Sequence, residues 1–236
     1  MIPYRDFTYP LNVFMHILTA EEGGVRALHY GLFERPDETI AEAQERSTEL
    51  LLSRLPPPPA RLLDVGSGLG TTLARLRRLG YDAEGITPDA QQAAMAGVPA
   101  AAFETWDGGP YDVLLFQESS QYIDSAALFA KARELAPRVV VLDEFATGES
   151  TLRPLDGFLS AAAANGFRVV ERIDLSAKAA PTVDYFRARI PKYRDALIRD
   201  LGITDQQVDD LIYSGENYSA HYHSGAYLYL LLDLVR

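Results

Sequence analysis

The chain has 236 residues, 47% of them hydrophobic, with no cysteine and a formal net charge of −11. That length suits one well-filled α/β domain with an appended segment, and the lack of cysteine excludes disulfides and thiolate metal sites. The acidic balance argues against a nucleic-acid partner, because phosphate binding rests on Lys and Arg.

Residues 1–59 read as an N-terminal helical segment. Leu11 to Leu18 is apolar, but His16 interrupts it, Arg5 and Asp6 precede it, and no small-residue cleavage site follows, so it does not read as a secretory leader. Between Glu38 and Leu55, Ile40, Ala43, Leu50, Leu51 and Leu55 fall near helical spacing. Pro56 to Pro59 stop that helix and force an extended entry into the next element.

From residue 60 the pattern alternates. Strands are expected at Leu62–Val65, Ala83–Thr87, Ala100–Phe103, Val113–Phe116 and Val139–Asp143, with helices at Thr71–Leu79, Asp89–Met95 and Ser125–Leu135. Short apolar strands separated by helices specify a mostly parallel sheet covered on both faces. A helix over Leu155–Asn165 stops at Gly166 and leads into a strand at Arg168–Leu175. Val183 to Tyr213 then carries Phe186, Ile190, Tyr193, Leu197 and Leu201 at helical spacing, with a fresh cap at Thr204. The last strand, Ala226–Val235, contains Asp233 and is too short to span a bilayer. A soluble cytoplasmic protein without membrane insertion is the expectation. Four histidines are too few and scattered for a metal site, and none is expected. His221 and His223, two apart beside the last strand, would share one face if their segment were extended.

The most specific feature is Arg61-Leu-Leu-Asp-Val-Gly-Ser-Gly-Leu-Gly70. An apolar strand runs into three glycines at alternate positions, and a helix follows at once. Such a turn lets backbone approach a ligand closely. A dinucleotide-binding turn would carry its third glycine at position 71, but Thr71 stands there and the glycine comes one residue early. The pattern, with Asp64 before it, resembles motif I of class I S-adenosylmethionine-dependent methyltransferases. The resemblance covers about Arg61 to Arg236 and implies a Rossmann-like seven-stranded sheet with helices on both faces. It also implies an antiparallel last strand and a helical lid insertion at about 183–215, within a domain spanning 60–236.

Carried over residue by residue, Gly66, Ser67, Gly68 and Gly70 would pass beneath the methionine part of S-adenosylmethionine. Asp64 would organise the turn. Members of this class usually end the second strand with an acid that takes both ribose hydroxyls, but Thr87 stands here. The run Glu84-Gly-Ile-Thr-Pro-Asp-Ala-Gln-Gln92 resembles the Gly-Ile-Thr-Leu-Ser-Pro-Glu-Gln segment of cyclopropane-fatty-acid-synthase-like methyltransferases. On that match Gln92 takes the ribose with Thr87 beside it, and Asp89 is the helix N-cap. Phe103-Glu-Thr-Trp-Asp107 occupies the adenine position, so Glu104 and Thr105 are assigned to the base. Trp106 either flanks the ring or packs in the core. Gln117 falls where a backbone carbonyl holds the cofactor's ammonium group.

In Phe116-Gln-Glu-Ser-Ser-Gln-Tyr-Ile123, Glu118 and Tyr122 either face the acceptor or hold the loop. Leu28-His-Tyr-Gly-Leu-Phe33 is similar to the aromatic segment preceding motif I in several small-molecule methyltransferases, which implies that Tyr30 closes over the cofactor's sulfonium; the alternative is a buried helix-packing residue. His221 and His223 belong with Tyr213, Tyr218 and Tyr222 in an aromatic-polar cluster. A general base is required only where the acceptor must lose a proton, and His29, His221, His223 and Glu118 are available. The resemblance implies methyl transfer from S-adenosylmethionine, leaving S-adenosylhomocysteine, to N, O or C of a small molecule. The alternatives are a non-methylating rearrangement or cyclisation that uses the same cofactor, and a catalytically silent binding protein that retains the fold.

Overall fold

The structure is a computed structural model, and it describes residues 4–236. In chain order the elements begin with α1 (Leu11–Glu22), α2 (Ile40–Leu52), β1 (Arg61–Val65), α3 (Thr71–Arg78), β2 (Asp82–Ile86), α4 (Ala90–Ala96) and β3 (Val113–Gln117). They continue with α5 (Ser125–Leu135), β4 (Arg138–Ala146), α6 (Leu155–Ala164), β5 (Arg168–Asp174), α7 (Ser176–Leu201), α8 (Asp205–Ser224) and β6 (Tyr227–Val235). The chain divides into two units: residues 4–46 with 177–225, and residues 47–176 with 226–236.

The second unit is an α/β sheet with strand order β2-β1-β3-β4-β6-β5. β1 pairs in parallel with β2 and with β3, and β3 pairs in parallel with β4. β6 lies between β4 and β5 and is antiparallel to both. Four of the five β1 residues and eight of the nine β4 residues are buried, as expected of strands covered on both faces. One face packs Leu63, Val65, Phe116, Val141, Phe145, Leu230 and Leu232 against Leu128, Phe129 and Phe158 of α5 and α6. Because β1 passes to β2 on one side and has β3 on the other, the order reverses at β1. A crevice at the carboxyl ends of β1 and β3 is where such sheets bind ligands.

Among the described residues the sheet has six strands, not seven. The strand expected at Ala100–Phe103 is reduced to a single parallel bridge between Thr87 and Ala100, and Phe103–Thr105 winds into a 3-10 turn. Pro99 has no N–H with which to extend the ladder. Elsewhere in this unit the expected elements are present within a few residues of their expected ends. Asp89 caps α4, accepting from the backbone N–H groups of Gln91 and Gln92 at 2.9 Å each.

The first unit is helical. α2 begins later than the expected Glu38 because Thr39 and Glu42 cap it reciprocally: Thr39 N donates to Glu42 Oε2 at 2.9 Å, and Glu42 N to Thr39 Oγ1 at 3.2 Å. α7 is long despite Pro181 and Pro191 within it. Thr204 opens α8 through a full capping box with Gln207, so a new helix starts where expected, though it runs on to Ser224. Val13, Ile17, Ile190, Leu197, Leu201 and Val208 form the core of this unit. No helix among the described residues is long and apolar enough to cross a membrane.

Candidate functional site

The glycine turn sits at the carboxyl end of β1. Gly66, Gly68 and Gly70 all adopt the left-handed region, at φ 75, 55 and 76°. Two of them are also sterically required. A Cβ on Gly66 would lie 2.4 Å from Ser119 Cβ, and one on Gly70 would lie 2.9 Å from Ala96 Cβ. The turn is pinned by Gly66 N and Ser67 N, which both donate to Ile86 O (2.8 and 3.0 Å), and by Gly70 N to Ser67 O (2.8 Å). No side chain caps the N-terminus of α3 and its first turn holds no acid, so the positive end of its dipole faces the turn uncompensated.

Two buried polar atoms flank this turn. Asp64 is 3% exposed, and its Oδ2 has no hydrogen-bond partner among the described residues. Burial raises its carboxyl to about 6, against the opposing pull of a hydrogen bond from Ser67. On β3, Gln117 accepts from Thr72 Oγ1 at 2.9 Å through Oε1, while its covered Nε2 likewise has no partner. An acceptor from β1 and a donor from β3 are therefore left over at the same strand ends.

The remaining expected residues of this unit are distributed as follows. Thr87 is buried, and its hydroxyl donates to Gln92 Oε1 at 3.3 Å, so these two are together. Glu104 and Thr105 lie exposed on the 3-10 turn, where Thr105 Oγ1 bonds locally to Ala102 O. Trp106 is committed elsewhere: its indole N–H donates to Tyr111 Oη at 2.9 Å, and Tyr111 donates to Glu84 at 2.8 Å. Its ring packs against the core. Tyr122 is 81% exposed on a short 3-10 turn. Glu118 follows β3 directly with φ 54°, and its carboxylate accepts from Tyr229 Oη at 2.6 Å.

Tyr30, His221 and His223 belong to the other unit. Tyr30 packs its ring 6.3 Å from that of Tyr222. The histidines occupy the last turn of α8, not an extended segment. Two residues along a helix are about 200° apart, so the shared face expected of a strand is lost. Both are exposed, and His223 Nδ1 lies 2.7 Å from Ser219 O of its own helix. His29 is buried with its Nδ1 3.0 Å from Tyr30 O, and burial lowers it to about 4. Among the described residues no cluster of three or more His, Asp or Glu could hold a metal ion.

Three residues near the turn or near Glu118 escape a reading by motif. Thr72 and Ser119 are ordinary residues whose partners, Gln117 and Val65 O, are distant in sequence. Tyr229 is a fully buried tyrosine of the last strand, indistinguishable in sequence from a core residue. Its position beside an acid becomes visible only once β6 inserts beside β4.

The sequence matches no family model and no curated protein. Several hundred solved chains share the fold. A mycolic acid cyclopropane synthase, CmaA1, complexed with SAH and CTAB, aligns with TM-score 0.81 at 21% identity, over 100% of this chain and 98% of that one. The [4+2]-cyclase SpnF aligns with TM-score 0.78 at 19% identity, covering 94% of this chain and 92% of its own. A sarcosine dimethylglycine methyltransferase assigned from Galdieria sulphuraria gives 0.78 at 16% identity, over 94% and 96%. The architecture is thus the α/β fold shared by class I methyltransferases and cyclopropane synthases.

Proposed function

We propose that this chain is an S-adenosylmethionine-dependent methyltransferase acting on a small molecule in the cytoplasm. The observation that supports it most is the pair of unpartnered buried atoms, Asp64 Oδ2 and Gln117 Nε2, on either side of a left-handed glycine turn at the point where strand order reverses. Leaving a buried acceptor and donor unmade costs about 1–3 kcal/mol each, which supports a bound group at these strand ends. The residues present fit this cofactor. Asp64 and the glycine turn would border its methionine part, and the amides of α3 would meet the carboxylate. Thr87 and Gln92 would hold the ribose, Glu104 and Thr105 the adenine, and the Gln117 carbonyl the ammonium.

When bound, the cofactor supplies a methyl group already activated on a cationic sulfur. The protein is left to position and desolvate. Glu118 and Tyr122 are assigned to the acceptor side, and Tyr30, His221 and His223 are further candidates. A non-methylating reaction with the same cofactor is the second reading, favoured by the likeness to a [4+2]-cyclase. Binding is tested by thermal melting with S-adenosylmethionine and S-adenosylhomocysteine, where absence of any stabilisation removes both readings. Transfer of label from methyl-tritiated cofactor to an acceptor supports methylation. Turnover without S-adenosylhomocysteine supports the second reading.

A further inference from the structure

Glu118 stands out by its backbone. Among the described residues it is the one non-glycine residue with positive φ, at 54°. A side chain held there is strained and persists only where surrounding structure over-determines it. The surroundings do. Its N–H donates to Leu142 O at 2.8 Å on β4. The next residue, Ser119, sends its hydroxyl to Val65 O at 2.5 Å and abuts Gly66 of the glycine turn. Ser120 Oγ and Gln121 N both bond to Asp143 Oδ2, at 2.6 and 3.1 Å, and the Arg153 guanidinium clasps Ser120 O. The segment after β3 is thereby clamped against the turn that Asp64 and Gln117 flank.

The carboxylate itself is held from the sheet. Tyr229 is fully buried on β6, paired in register with Glu144 of β4, and its hydroxyl donates to Glu118 Oε1 at 2.6 Å. That length is typical of a charge-assisted O–H···O⁻ bond. Burial, then the Glu118 charge, push the Tyr229 phenol well above its ordinary value, so it stays a donor and never competes for the proton. This suits a fixed negative charge better than it suits a base.

Resting on the cofactor assignment above, we infer that Glu118, positioned by Tyr229, is a charge-recognition group for the cofactor's sulfonium, so that the protein binds cationic S-adenosylmethionine in preference to the neutral S-adenosylhomocysteine it leaves. Fixed charge in a partly desolvated site discriminates strongly between a cation and its neutral counterpart. Such a preference would ease product release. Asp64 and Gln117, which flank the glycine turn, contact parts common to both molecules and supply affinity without this selectivity.

The test is calorimetric titration of the full chain with S-adenosylmethionine, S-adenosylhomocysteine and sinefungin, whose ammonium replaces the methylsulfonium. The wild type should favour the two cations. Glu118→Gln should lose about tenfold in affinity for both cations, with S-adenosylhomocysteine changed less than about twofold. Tyr229→Phe keeps the packing and removes one hydroxyl, and it should lower the cation preference by about threefold. A purely structural tyrosine would move all three affinities together. Equal effects on charged and neutral ligands in both variants would overturn the inference. So would a wild type that binds all three alike. A wild type that binds none of them would overturn the cofactor assignment itself, a result distinct from either. If Glu118→Gln fails to fold, the Tyr229→Phe ratio decides alone.

Discussion

Asp64 makes a prediction of unusual sign. Its carboxyl is fully buried and raised from 3.8 to about 6, chiefly by desolvation. A group whose folded pKa lies above its unfolded value keeps its proton longer in the folded state. The folded chain therefore binds more protons between about pH 4 and pH 6. Stability contributed by this group is present below pH 4 and is lost as pH rises through 6. A shift of roughly two units at about 1.4 kcal/mol each makes the loss about 3 kcal/mol at neutral pH. Asp64→Asn removes the titration. It should match the wild type near pH 4 and exceed it by up to about 3 kcal/mol at pH 7.5, which is roughly 6–12 °C in Tm for a chain of this size. The same variant should lose measurable S-adenosylmethionine binding, the trade-off expected where a buried charge is kept for function. Urea unfolding of both proteins from pH 4 to 8 separates Asp64 from all carboxylates the two share. A difference that does not vary with pH, or a variant less stable than wild type at pH 7.5, would refute the reasoning.

Other outcomes follow from single contacts. Gly66→Ala forces a side chain into φ 75° and within 2.4 Å of Ser119, so urea melts should show a loss of about 2–4 kcal/mol. Gln92→Ala should weaken S-adenosylmethionine about tenfold by calorimetry. Asp89→Ala should instead cost about 1 kcal/mol of stability through the lost cap on α4, with cofactor affinity nearly unchanged. Arg138 grips Asp233 at 2.9 and 2.7 Å across β4 and β6. Asp233→Ala leaves that guanidinium without its carboxylate, holding only the Arg54 carbonyl, and should lower the unfolding free energy by about 3 kcal/mol in the same melts.

Local sequence chemistry carried most of the fold. Runs such as Val139–Asp143 are apolar without alternation because both faces are covered, and Gly66, Gly68 and Gly70 mark positive φ because little else tolerates it. Thr204 and Asp89 announce helix starts through the hydroxyl or carboxylate that caps them. These signals act within a few residues, so they are readable in one dimension. Three things were not. The strand at Ala100 needed a neighbour able to donate, and Pro99 is not one. The histidines at 221 and 223 took helical geometry from α8, which extends past the expected end. The partnership of Glu118 with Tyr229 joins residues 111 apart in the chain. Nothing in the neighbourhood of either names the other, because that contact exists only after β6 has threaded antiparallel beside β4. The turn at Gly66–Gly70 and the sheet it opens belong to the sequence alone. Which side chains are left unsatisfied beside that turn, and which carboxylate is held in the left-handed region against it, were decided by pairing between strands far apart in the chain.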